Sequence, residues 1–236
     1  MSLKRLATTL ALTALLLTAG CAGLRDVNLD DLLAGPLDEE TVAAGLREAL
    51  NVGTGRAVSH TSSTDGFLAN ELIRIALPPD LQGLAGTLRD LGQGDRVDGF
   101  VVMMNRSAER ASALAVEPFA EAVRRMTLAD AFSILEGPPD AATRYFRSAT
   151  EDSLRARFRP VVSGTMRETG LYDDYEEILT IYEAIPFTDK PSLDLTAHIT
   201  DRTLDGLFLM LADEEARIRH DPLARTTALL KRVFGS

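Results

Sequence analysis

Phe100-Val101-Val102-Met103-Met104 and Leu207-Phe208-Leu209-Met210-Leu211-Ala212 are apolar on every side of a helix. A helix without a polar face is buried on all faces. The two runs are therefore expected as the central pair of a bundle, with the remaining helices wrapped round them. Around the first, Val97, Phe100/Val101, Met104, Ala108, Ala111 and Ala115 recur every three or four residues as one stripe. Pro118 must kink or break that helix near Val116, and Phe119, Val123 and Met126 carry the stripe onward. Beside the second run, Gly206 would let two backbones approach closely.

Outward from these runs the pattern stays helical. Asp38-Glu39-Glu40 is a helix start with acids on the positive dipole end, and that helix runs to about Gly53, or on to Ser59. Residues 61–66 are turn material. Ile73, Ile75 and Leu77 alternate with Arg74 and Ala76, the one strand-like stretch; with no partner strand evident it is expected as an extended connector. A helix over 79–91 stops at Gly92. Asp95 with Asp98, and Thr127 with Asp130, have capping-box spacing. Further helices are expected over 139–149, 151–169, 173–185, 193–220 and 222–234, the last opened by Asp221-Pro222 and closed by Gly235. With no Trp and 6% aromatics, the helices must pack closely. The fold class is all-α, a single irregular or orthogonal bundle of about eight to ten helices.

The N-terminus points to export. Lys4 and Arg5 precede an apolar run, Leu6 to Leu17, far short of the roughly 20 residues a membrane span needs. A basic n-region, short apolar h-region and small-residue cleavage site describe a signal that is removed. It ends on Leu17-Thr18-Ala19-Gly20-Cys21, and Cys21 is the only cysteine. This resembles the bacterial lipoprotein lipobox, which implies that Cys21 is acylated with chains of the palmitate class and becomes the mature N-terminus. Several such chains hold a protein to a membrane almost permanently. Ala22, where an Asp would favour the inner membrane, implies the periplasmic face of the outer membrane. The expected layout is signal peptide 1–20, lipidated cysteine and tether 21–37, and helical domain 38–236. The formal charge of −10 becomes more negative still when Lys4 and Arg5 leave with the signal. Such a surface repels polyanions, and no basic face with interleaved aromatics exists, so nucleic acid is excluded as a partner. With Cys21 acylated no thiol is left for a disulfide, and the core alone must hold the fold.

Catalytic signatures are missing: there is no His-Glu-x-x-His, Gly-x-Ser-x-Gly or Gly-x-x-x-x-Gly-Lys. His60, His198 and His220 are scattered, and none has a Glu three residues before it, so neither a metal nor another cofactor is expected. Gly53-Thr54-Gly55 and Gly92-Gln93-Gly94 follow no strand and are expected as helix ends. Arg144, Arg147, Arg155, Arg157, Arg159 and Arg167 reverse the sign of the surface locally. They should pair with the acids of 173–183 or, alternatively, face phospholipid headgroups. A polar set follows each apolar run: Asn105, Arg106 and Glu109 after the first, Glu214, Glu215 and Arg219 after the second. Arg106–Glu109 and Glu215–Arg219 have the spacing of helical neighbours. Arg225 opposes the dipole in a first turn, so it needs a carboxylate among Glu214, Glu215, Glu109 and Asp221, or an anionic ligand. Buried charge must be paired. These seven residues are the candidate site, a structural network by default and a ligand site otherwise.

Five ordered motifs stand together in this chain: Asp65-Gly66-Phe67, Met104-Asn105-Arg106, Ala141-Ala142-Thr143-Arg144-Tyr145-Phe146, Leu204-Asp205-Gly206-Leu207-Phe208, and Ala224-Arg225-Thr226-Thr227 running to Val233-Phe234-Gly235. Over residues 40–235 the chain resembles the bacterial family catalogued as domain of unknown function 4197, many members of which carry a lipoprotein signal. The resemblance implies a helical exported domain and no activity. The expected function is a lipid-anchored, non-enzymatic binding or scaffold module acting on an envelope protein or ligand. The alternative is a carrier of an apolar or anionic ligand within the bundle, and an enzyme stands third. Replacing the lipidation site tests the anchor: Cys21→Ala should abolish recovery in the membrane fraction or leave an unprocessed precursor, read by fractionation and mass spectrometry.

Overall fold

A computed structural model describes residues 38–170, 173, 175–177, 180 and 194–221. Seven α-helices occur among them, with no strand: α1 (Glu39–Ser62), α2 (Pro79–Asp90), α3 (Gly94–Ser112), α4 (Val116–Arg125), α5 (Leu128–Leu135), α6 (Ala141–Glu168) and α7 (Leu195–His220). The all-α class follows. The count is below the expected eight to ten for identifiable reasons. Helices expected over 173–185 and 222–234 lie wholly or mostly outside the described residues. Those expected over 139–149 and 151–169 are one helix, α6. At the expected break Glu151 stitches the helix together, pairing with Arg147 (3.4 Å) and Arg155 (3.1 Å) one turn to either side.

The first helix is longer than its glycines suggested. Gly53-Thr54-Gly55 is interior to α1, not a helix end. Thr54 Oγ1 returns its proton to the Leu50 carbonyl (2.7 Å), and a Cβ on Gly53 would stand 3.3 Å from Ile218 of α7. Gly92, by contrast, ends α2 with φ +76°, the left-handed conformation glycine adopts freely. Of the two capping boxes, Thr127–Asp130 forms with both bonds present (3.0 and 3.1 Å). The Asp95–Asp98 box does not: α3 begins at Gly94 without a side-chain cap, and Asp98 pairs with Arg89 of α2. The break before Pro118 is a 3-10 turn, Ala113–Ala115, between α3 and α4.

The two apolar runs do lie at the centre. α7 packs against α6, α1 and α3, and α3 against α6, α7, α1 and α2. Phe208 of α7, Phe119 of α4 and Phe146 of α6 meet edge to face, with centroids 5.3 and 6.1 Å apart, near the optimum for ring quadrupoles. Val102, Met103 and Ala212 are only partly buried, and Leu209 is 46% exposed, because no described helix covers that side of α7.

Residues 63–78 cross the bundle as a run of turns followed by the extended connector expected over 73–77. Phe67, Ile73 and Ile75 point inward, while Arg74 and Ala76 face out. Gly206 serves this crossing rather than a helix pair. A Cβ there would stand 2.6 Å from Cε1 of the fully buried Phe67 and 3.1 Å from Ile73. Gly206→Ala must push a core ring aside. It is expected to lower stability by about 1–3 kcal/mol, as overpacking does, measured by urea unfolding; an unchanged midpoint would show that the connector yields.

Candidate functional site

The connector has almost no backbone partners of its own beyond short turn contacts, yet its inner groups are dry. Asn105 of α3 meets this need. The Ile75 amide donates to Asn105 Oδ1 (2.8 Å), and Nδ2 donates to the carbonyls of Ile75 (2.9 Å) and Val101 (2.8 Å). One side-chain amide thus does what a neighbouring strand would do. One turn on, Glu109 Oε1 accepts from the amides of Phe67 (3.3 Å) and Leu68 (3.4 Å). Its Oε2 takes Arg106 Nη1 at 2.7 Å, and Arg106 Nη2 reaches Asp65 Oδ1 at 2.7 Å. The bond to Glu109, then that to Asp65, holds the guanidinium above its ordinary pKa. Asp65 sits at φ +66°. A Cβ on Gly66 would meet the His60 carbonyl at 2.2 Å, so this turn requires glycine there.

A second clamp repeats the scheme on α7. α6 begins without a side-chain cap of its own, since Asp140 pairs with Arg144 (2.8 Å). Glu215 supplies the cap from across the core, taking the amides of Ala142 (3.0 Å) and Thr143 (2.9 Å) and the Thr143 hydroxyl (2.8 Å). A carboxylate belongs at this positive helix end. Arg219 grips Glu215 Oε1 through Nε (3.1 Å) and Nη2 (2.9 Å), and Nη2 also donates to the Ile134 carbonyl at the end of α5 (2.9 Å). One ion pair therefore closes both sides of the α5–α6 corner.

Six of the seven candidate residues are thereby placed. Asn105, Arg106 and Glu109 form one group, Glu215 and Arg219 another. Glu214 stands apart from Glu215, with Arg217 (3.2 Å) and Arg56 (3.7 Å). Arg225 lies outside the described residues. Among the described residues four of the six cluster arginines are ion-paired, with acids other than those expected, of which Asp174 and Glu183 lie outside the described residues; Arg144 holds Asp140. Arg147 reaches Asp205 (3.5 Å), Arg155 bonds Asp201, and Arg159 reaches Asp194 (3.2 Å), all on or capping α7. Arg167 bonds Ser163 (2.7 Å) and is in no ion pair among the described residues. Glu177, from the segment expected to pair with them, holds Arg96 at 2.6 Å. Few of these cations remain to face a headgroup.

No group of three or more metal-ligating side chains occurs among the described residues, and none of their helices is long and apolar enough to cross a membrane. Two apolar pockets among the described residues, one of them beside Leu84, Leu88, Phe100 and Tyr175, hold about 20 Å³ each. That is room for about one water, against several hundred Å³ for a bound organic ligand. Two larger spaces, about 510 and 460 Å³, are open surface grooves with mixed linings.

Sequence reasoning missed His198. Its Nε2 is buried without a partner. Burial first, then the Arg202 charge, lower its pKa, against a bond to the Ala76 backbone and the Asp201 carboxylate. A base with a lowered folded pKa binds fewer protons folded than unfolded. Its contribution is complete above the unfolded value of about 6.5 and is lost as pH falls below it. Unfolding free energy should therefore drop from pH 7.5 toward 5, and His198→Gln should flatten that slope; an equally steep variant excludes His198 as the cause. For the second clamp, Glu215→Ala strands Arg219 and two helix-end amides in the core. It should cost about 3–5 kcal/mol, where the exposed α6–α7 pairs should each cost under about 1 kcal/mol; chemical denaturation separates the two cases.

Asp65, Asn105, Arg106 and Thr143 of these joints fall in the motifs that carry the resemblance, and comparison with known proteins bears on that. A family model described as Protein of unknown function (DUF4197) matches residues 36–235. Neither a curated protein nor a solved structure matches the chain. With the match running through α1, both clamps and α7, the chain belongs to the DUF4197 family.

Proposed function

We propose that this protein is a non-enzymatic binding or scaffold module of the bacterial envelope, anchored through a lipidated Cys21 at the periplasmic face of the outer membrane. The observation that carries the reading is how the candidate polar residues are spent. Asn105, Arg106, Glu109, Glu215 and Arg219 are engaged with backbone groups or with each other, in a core where two apolar pockets hold about 20 Å³ each. Groups that must hold a proton or grip a substrate cannot also be the caps of a helix and a connector. A core so filled favours recognition at the surface over carriage of a ligand within. The test is site-specific photocrosslinking in cells combined with fractionation. Adducts with another envelope component in the outer-membrane fraction are expected. Recovery of the chain as a soluble species without adducts from any surface position would overturn the reading.

A further inference from the structure

Between the end of α1, the turn at residues 70–72 and the second half of α7 lies the open groove of about 510 Å³. Its shoulders are leucines, Leu72 at 74% and Leu209 at 46% exposed. Leu72 is held in place: its amide donates to Asn70 Oδ1 (3.1 Å), and the amides of Ile73 and Arg74 donate to the Asn70 carbonyl (3.2 and 2.8 Å). A side chain displayed on a fixed turn loses little entropy when covered. The floor holds Glu214, 9% exposed. Its Oε2 is one of two buried side-chain polar atoms without a hydrogen bond among the described residues. Oε1 accepts from Arg217, but Arg56 stands 3.7 Å from Oε2, too far to bond it. Donors nearby are engaged. Arg217 also holds Asp213 (3.0 Å), and Asn70 Nδ2 faces His60 Nε2 (3.3 Å) and Met210 Sδ (3.4 Å). What the groove lacks is a donor at Oε2 and apolar cover for two leucines.

We propose that this groove docks a segment of a partner protein presenting one lysine or arginine between apolar side chains, its cation displacing Arg56 at Glu214 Oε2. The inference rests on the binding-module reading and gives that module its docking site. The acidic excess of the chain, −10 formally, favours encounter with a basic segment. The groove of about 460 Å³ between α4 and α6 makes no such demand. There Tyr145 donates to the Ala122 carbonyl, Ser153 to that of Thr150, and Arg125 pairs with Glu121.

The test places a photoreactive residue at position 72, 209 or 91 of the full chain in cells; Leu91, 66% exposed, is outside the groove. Adducts with another protein are expected from 72 and 209 and not from 91, through a peptide bearing Lys or Arg flanked by apolar residues. With the probe at 209, Glu214→Gln and Leu72→Asp should each cut the adduct yield about tenfold, as loss of a charge-assisted bond or an apolar anchor does. Leu72 is a solvent-exposed side chain, so its variant remains informative if Glu214→Gln unfolds the protein. Adducts from 91 alone overturn the groove and leave the binding-module reading standing. Adducts to a second copy of this chain, acidic adduct peptides, or yields indifferent to both substitutions overturn the proposed partner chemistry. No adduct at any of the three overturns the groove, while the binding-module reading falls only if no surface position yields one.

Discussion

A buried backbone amide must find an acceptor, and in this protein two segments cannot find one in the backbone. The connector over residues 63–78 crosses the core without a strand beside it, and α6 starts in the interior without a cap of its own. Each is met by a carboxylate reaching from a central helix, Glu109 from α3 and Glu215 from α7. A bare carboxylate in the core would be costly. Each therefore carries its own arginine on the same helix, three or four residues on or back, and that arginine spends a spare donor on a second segment: Asp65 in one case, the Ile134 carbonyl in the other. Asn105 completes the first clamp without charge, matching the donor and acceptor of Ile75 with its own acceptor and donor.

This arrangement explains why particular short motifs occur where they do. Asp65-Gly66-Phe67 is a left-handed aspartate held by Arg106, a glycine pressed on the His60 carbonyl, and a ring seated against Gly206. Gly206 is the matching half of that contact. Ala142-Thr143 is the helix start that Glu215 caps. The motifs are pieces of two joints, and changing one piece leaves its partner stranded. Energetics favours this over the surface ladder of α6 and α7. Exposed pairs such as Arg159–Asp194 each contribute little, whereas loss of a buried partner leaves an uncompensated charge.

Periodicity and spacing revealed much of this fold. The α3 stripe, the connector's alternation, the Thr127–Asp130 box and both helical ion pairs were legible, because all are local patterns in side-chain identity. The destinations of Asn105, Glu109 and Glu215 were not. Their partners are backbone atoms tens of residues away, and a backbone amide leaves no mark in the sequence. Gly53 misled for a related reason: a glycine that admits Ile218 of a distant helix looks the same as one that ends its own. The join at Thr150 was hidden because the ion pairs that Glu151 makes to either side depend on a helix already running through it. The arginines' choice of α7 over residues 173–183 depended on packing that spacing alone cannot supply.

Leu209 shows where fold and function part. Within Leu207-Phe208-Leu209-Met210-Leu211 it is indistinguishable from its neighbours, and an all-apolar helix ought to be covered on every side. Its neighbours are covered, but Leu209 emerges across the groove from Leu72, with an unsatisfied carboxylate oxygen between them. Both polar joints elsewhere give their carboxylate oxygens donors, so the chain is able to satisfy such groups when the fold needs it. A bare leucine of the central run and a buried carboxylate oxygen with only Arg56 beside it, at 3.7 Å, therefore stand together at one place. They coincide on the face where a partner with a cation and apolar flanks would satisfy both.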